Sequence, residues 1–134
     1  MRDNLRRYRA IREAFTPWYP GQPSGTVARH LITLAALISG IVGSKSPQLP
    51  PIAAKVPNGT KPASRVKRLT RWVDNAHLLE EGYFLPYAEV LLRHLALHTV
   101  VLVMEGSGVG RGCTALMIHV VYQGRALPRA WRGV

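Results

Sequence analysis

Apolar residues recur at helical spacing from the outset. Leu5, Tyr8, Ile11, Ala14 and Phe15 share one side of residues 4–15, while Arg6, Arg7, Arg9 and Arg12 fill the other, which predicts an amphipathic helix. Its basic side is either a solvated face or an arm laid along phosphates. "TPWYPGQPSG" (16–25) predicts a loop, because prolines and glycines interrupt any regular pattern. Thr26 is the expected cap of a helix over 27–42, too apolar to stay exposed, which Gly43 ends in a left-handed conformation. The tandem prolines of "LPPIAAKV" (49–56) fit only the first turn of a short helix. "PNGT" (57–60) breaks that helix, and Thr60 caps the next, "KPASRVKRLTRWVDN" (61–75). There Pro62, Val66, Leu69, Val73 and Ala76 form one apolar stripe. A last helix starts at Pro86 and runs to about His98, with Ala88, Leu91, Leu92 and Leu95 inward.

After that the periodicity changes. "TVVLVM" (99–104) is β-rich without alternation, which predicts a central strand buried on both faces. Gly106, Gly108, Gly110 and Gly112 follow and predict a wide turn of positive-φ glycines. "CTALMIHVVY" (113–122) is a second strand, "QG" (123–124) a tight turn, and "RALPRAW" (125–131) the returning strand. The expected class is α+β, with a helical region over 1–98 and a β region over 99–134. A strand buried on both faces needs helices above and below it, so the β region reads as the front of a longer, truncated architecture.

Composition changes this picture mainly through charge. The chain has 134 residues with 18 Lys plus Arg against 7 Asp plus Glu, a formal net charge of +11. Such an excess favours a polyanionic partner, nucleic acid or an anionic membrane surface. The longest apolar run, "LITLAALISGIV" (31–42), falls short of the roughly 20 residues that a membrane-spanning helix needs; of the two polyanions, nucleic acid is the expected partner and a membrane is not. The single cysteine, Cys113, excludes an internal disulfide and a Cys-rich zinc site and fits a reducing cytoplasm. Lys55, Lys61, Arg65, Lys67, Arg68 and Arg71 follow one another without an intervening acid. A short helix, a Gly-containing turn and a basic second helix is the outline of a helix-turn-helix. The alternative is a generic basic surface helix.

Other chemistry is sparse. The glycines lead into a β-rich segment with no Gly-Lys-Ser/Thr close, so neither a dinucleotide fingerprint nor a P-loop is formed. His94 and His98 have a zinc-chelating spacing, but no third ligand and no metalloprotease Glu accompany them. His30, His77 and His119 are scattered, and no Ser/His/Asp arrangement can be argued. Neither a metal site nor a small-molecule substrate is expected. Glu105 is the only acid after Glu89, and one carboxylate cannot hold two divalent ions.

"HTVVLVMEGSGVGRGCTALMIHVVYQGRALPRAW" resembles the start of the catalytic domain of bacterial insertion-sequence transposases of the DDE type. The upstream "LITLAALISGIVGSKSPQLPPIAAKVPNGTKPASRVKRLTRWVDN" resembles their helical DNA-binding region. The resemblance extends from about Leu5 to Trp131, with "VYQGRALP" and "LPPIAAKVP" as its most specific phrases. It implies an RNase H-like fold for the second half, of which the first three strands are present, and Mg²⁺ chemistry on transposon ends in the intact family. In that family an Asp at the position of Glu105 supplies the first catalytic carboxylate. Two departures stand out: Glu replaces Asp at 105, and the family's second Asp and its Glu would lie beyond the residues present. Arg129 and Arg132 also stand where apolar strand residues are expected.

The resulting expectation is a truncated, catalytically inactive transposase-like protein, cytoplasmic and nucleoid-associated, that binds double-stranded DNA and needs no cofactor of its own. Lys55, Lys61, Arg65, Lys67, Arg68 and Arg71 are the expected DNA-binding residues, some on phosphates and one on a base edge. Three alternatives stay open. The sheet edge could pair with a full-length transposase and inhibit it, the chain could be a remnant without a role, or Glu105 could act as part of a nuclease with carboxylates supplied in trans.

Overall fold

A computed structural model describes residues 2–57 and 60–134, and the chain divides into two compact units, 1–87 and 88–134. The class is α+β, with helices followed by a three-stranded antiparallel sheet. The unit boundary lies inside the last helix, upstream of the 98/99 boundary that the change in sequence texture suggests.

The first unit is built on four helices: α1 (Arg2–Phe15), α2 (Gly25–Ser44), α3 (Leu49–Ala54) and α4 (Pro62–Val73). A short α5 (Glu80–Tyr83) follows, and α6 (Leu85–Leu95) begins at the end of this unit. The core cluster joins Ala36 of α2, Ile52 and Ala53 of α3, Val56 just beyond it, and Leu69 of α4, with Tyr8, Leu37, Leu49 and Val66 packed around it. The side of α2 that makes this possible is small: Ala35, Ala36, Ser39 and Gly40 are its buried residues. At Gly40 a β-carbon would lie 2.5 Å from Ile52 Cγ2 and 2.7 Å from the Ile52 carbonyl oxygen. Only a residue without a β-carbon lets the α3 backbone come this close. The Ser39 hydroxyl is fully buried and has no hydrogen-bond partner.

Several helix ends differ from the sequence expectation. Ser24, not Thr26, occupies the N-cap of α2, and Thr26 lies within the helix, accepting a hydrogen bond from Arg29 at 3.3 Å. The left-handed residue at its C-terminus is Lys45 (φ 54°), whose N–H donates to the Ile41 carbonyl. Gly43 is an ordinary helical residue beneath the Arg7 side chain, so that glycine answers a packing need rather than a cap. By length and composition α2 is apolar enough to cross a membrane, a test that core helices of soluble proteins also meet. It is longer than the run 31–42 indicates because residues 25–30 and 43–44 join it as helix.

α3 begins as the prolines require, with Gln48 as N-cap and Pro50 and Pro51 in the first turn. Of the break expected at 57–60, Asn58 and Gly59 lie outside the described residues. The N-cap of α4 is Lys61, one residue after Thr60, with Pro62 opening the helix. α6 starts one residue before Pro86 and ends at Leu95, short of His98.

The second unit holds β1 (Val101–Gly110), β2 (Cys113–Tyr122) and β3 (Arg125–Gly133), in the order β1-β2-β3. Both connections are two-residue turns with positive φ at each position: Arg111 and Gly112, then Gln123 and Gly124. That is the type I′ geometry, whose twist matches the strands it joins. The Gln-Gly turn is where the sequence puts it. The glycine-rich stretch is not a wide turn: Gly106 and Gly108 belong to β1, and only Gly110 and Gly112 have positive φ.

The expectation of a central β1 is overturned. β1 is an edge strand, every residue of it exposed, and β2 is central, carrying the buried Val120 and His119. Lack of alternation reports apolar side chains on both faces of a strand; it does not say how many neighbours the strand has.

Gly40→Ala is expected to lower stability by about 1–3 kcal/mol, because the clash with Ile52 includes backbone that cannot swing away, and this exceeds the helix-propensity gain of about 1 kcal/mol. Gly43→Ala, which meets mainly the mobile end of Arg7, is expected to be neutral or stabilising. Urea denaturation of the two variants beside wild type measures the contrast; equal behaviour of the pair would discount the close approach.

Candidate nucleic-acid interface

α4 turns Leu69 fully into the core, and Arg65, Val66 and Trp72 are half-buried beside it. The apolar stripe is therefore rotated from the expected one: Val73 is 54% exposed, and Pro62 and Ala76 are exposed as well. The opposite face carries Ser64, Lys67, Arg68 and Arg71, spaced i, i+3, i+4 and i+7, all exposed. These positions form one continuous stripe along the helix. Lys61 stands exposed at the start of α4, and Lys55 is exposed at the C-cap of α3. Among the described residues the ion pair is Arg6 with Asp3, and His119 lies at hydrogen-bond distance from Glu105; none of these lysines or arginines of α3 and α4 takes part.

Arg65 has a different place. Its Nη1 donates to the Val56 carbonyl at 3.0 Å, and its Nε is buried without a partner. The guanidinium thus satisfies a carbonyl just beyond α3, where the helix leaves orphan acceptors. Of the six expected DNA-binding residues, Arg65 is held in the α3–α4 junction, and the other five are exposed. Ser64 escapes a reading based on charge alone; its position between Lys61 and Lys67 on the helix surface is the signal that could have found it.

In the second unit, Glu105 on β1 and His119 on β2 meet across the strand pair. Nε2 of His119 lies 3.0 Å from the Glu105 carboxylate. An ionised carboxylate only accepts, so Nε2 carries the proton and Nδ1 is the nitrogen left over. Nδ1 is sealed from solvent and has no hydrogen-bond partner. A general base needs its free nitrogen within reach of a substrate proton. This pair does not offer one, and it acts as a cross-strand contact. His119 had no sequence signal, since its partner lies 14 positions away across a hairpin.

The residues around Glu105 also do not fit a pair of Mg²⁺ ions. Two such ions need several carboxylates to share, and Glu105 is the only acid in β1, β2 and β3. Among the described residues no group of three His, Cys, Asp or Glu side chains could hold a metal ion. His94 Nδ1 donates to the Val90 carbonyl at 2.9 Å, and α6 ends before His98, so the two histidines do not share a helical face. Arg129 occupies a bulge on β3 and is half-buried, with Nε and Nη2 unpartnered; burial lowers its pKa. Arg132, also expected to be out of place, is exposed near the end of β3.

A cleft of about 190 Å³ in the first unit is walled by Phe15, Tyr19 and Tyr87, with Arg12 at its rim. The Phe15 and Tyr87 rings are in contact, 4.6 Å apart and tilted by 30°. Burial raises the Tyr87 pKa, and the neighbouring Tyr19 adds to the shift, so the phenol stays neutral in this apolar wall. No family model matches the chain, and neither a curated protein nor a solved structure matches it.

Arg65→Ala is expected to cost about 1–3 kcal/mol of stability, because it strands a backbone carbonyl. Arg68→Ala, on the exposed face, should stay within about 0.5 kcal/mol of wild type. Thermal unfolding of both variants decides between a structural and a surface role for Arg65; equal shifts would contradict the division.

Proposed function

We propose that this chain is a transposase-like DNA-binding protein that engages double-stranded DNA through the exposed face of α4, with α3 and α4 acting as a helix-turn-helix. The observation that carries the reading is the run of Ser64, Lys67, Arg68 and Arg71 on one helical face, opposite the buried Leu69 and free of ion pairs with described residues. A helical face made of hydroxyl and cationic groups is suited to phosphate contacts and to bidentate contacts with guanine in a major groove. Lys55 and Lys61 flank the junction between the two helices and would add phosphate contacts. The net charge of +11 supports the same class of partner. So does the resemblance of residues 31–75 to the helical DNA-binding region of DDE-type transposases. On the same reading the sheet is the opening meander of an RNase H-like fold, and strand transfer is not among this chain's own activities.

Fluorescence anisotropy of a labelled duplex, titrated at several salt concentrations beside a scrambled duplex, tests the proposal. Replacing Lys67, Arg68 and Arg71 together by Ala should weaken binding and flatten the salt dependence. The log–log slope should fall by about 0.9 for each phosphate that is no longer neutralised, roughly 2.7 for three. Circular dichroism should be unchanged, since all three side chains are exposed. An unaltered affinity and slope would remove α4 as the interface. Equal, weak binding to both duplexes by the wild type would reduce the charge to a polyelectrolyte effect.

A further inference from the structure

The two edges of the sheet are built differently. β3 is protected in the ways natural edge strands usually are: Pro128 has no N–H to offer, Arg129 forms a bulge, and Arg125 and Arg132 add charge. On β1 the only such device is a bulge at Val109, next to the turn and away from the middle of the strand. The strand contains no Lys, Arg or Pro, and from Val101 to Gly108 it keeps continuous register with β2. Its side chains are exposed on both faces, Met104 to 71%. The one charge on it, Glu105, is bonded to His119 of the same sheet.

We infer that β1 is a self-association edge, and that a second copy of this chain pairs with it antiparallel to form a continuous six-stranded sheet, β3-β2-β1-β1-β2-β3. The placement of charge leaves this edge open to a second copy, the occupant whose exposed strand has the same apolar faces. All arginines on the strands lie on β3, about 10 Å from β1 at ordinary strand spacing. In the joined sheet the two sets of β3 arginines would be about 24 Å apart, well beyond the screening length of about 8 Å at physiological salt. Two chains of high positive charge can therefore meet at this edge without bringing the cations of their sheets together. A two-fold axis perpendicular to the sheet, centred on Met104, sets Glu105 opposite Val103 and Leu102 opposite Gly106. Like carboxylates do not oppose each other in that register, and the glycine leaves room for the leucine.

Sedimentation equilibrium of the full, nuclease-treated chain over a range of concentrations, combined with amide hydrogen exchange, tests this. The wild type should reach twice the 14.8 kDa chain mass, with the outward-facing alternate amides of β1 protected as the dimer forms. Met104→Lys opposes two lysines across the axis and should raise the dissociation constant roughly fivefold. In that variant β2 amides should remain protected, which shows that the sheet itself persists. A wild type that stays monomeric, a dimer indifferent to Met104→Lys, or a dimer whose outward β1 amides exchange freely would each overturn the inference.

Discussion

The close approach of α2 and α3 at Gly40 is the constraint on which the first unit depends. Ile52 lies against the backbone of α2 because nothing projects from that position, and its burial brings Ala53 and Val56 into the same core. Once α3 is seated, Leu69 completes the cluster from α4. Close packing of this kind leaves little tolerance for an added methyl group. It also carries a cost: the Ser39 hydroxyl is sealed beside the contact with no hydrogen-bond partner. The face of α2 is selected for smallness, and small residues leave little room to satisfy a buried polar atom.

That packing divides the arginines and lysines of α4 by role. The side of the helix facing α3 keeps Arg65, whose long stem and planar head reach the Val56 carbonyl. The side facing away keeps Lys67, Arg68 and Arg71 in water. One helix thus uses the same residue type to fasten its own junction and to present charge outward. Chemical type does not distinguish the two uses; only the rotation of α4 about its axis does.

In the second unit the hairpin turns are set by short-range chemistry and the sheet by backbone pairing, with very little core. Val120 is the one apolar strand side chain among the described residues that is fully buried. His119 is nearly buried too, and its bond to Glu105 keeps one nitrogen satisfied while the other is shielded. Glu105, the one carboxylate of the three strands, is engaged by a histidine across the strand pair.

Local chemistry made much of this fold legible from the sequence. Helical periodicity located α1, α2, α4 and α6, tandem prolines placed the start of α3, and Gln-Gly gave the turn between β2 and β3, because each depends on residues close together in the chain. The exposed cations of α4 were legible for the same reason. What the sequence left open depends on contacts between distant residues. Gly43 reads as a helix stop until Arg7 is seen above it, and Arg65 reads as one more exposed cation of α4 until the end of α3 is placed beside it. The apolar run of β1 fixes that both faces are hydrophobic, but only the order of the strands put it at an edge. Periodicity specifies which way side chains point relative to one another; tertiary packing alone decides what they point at.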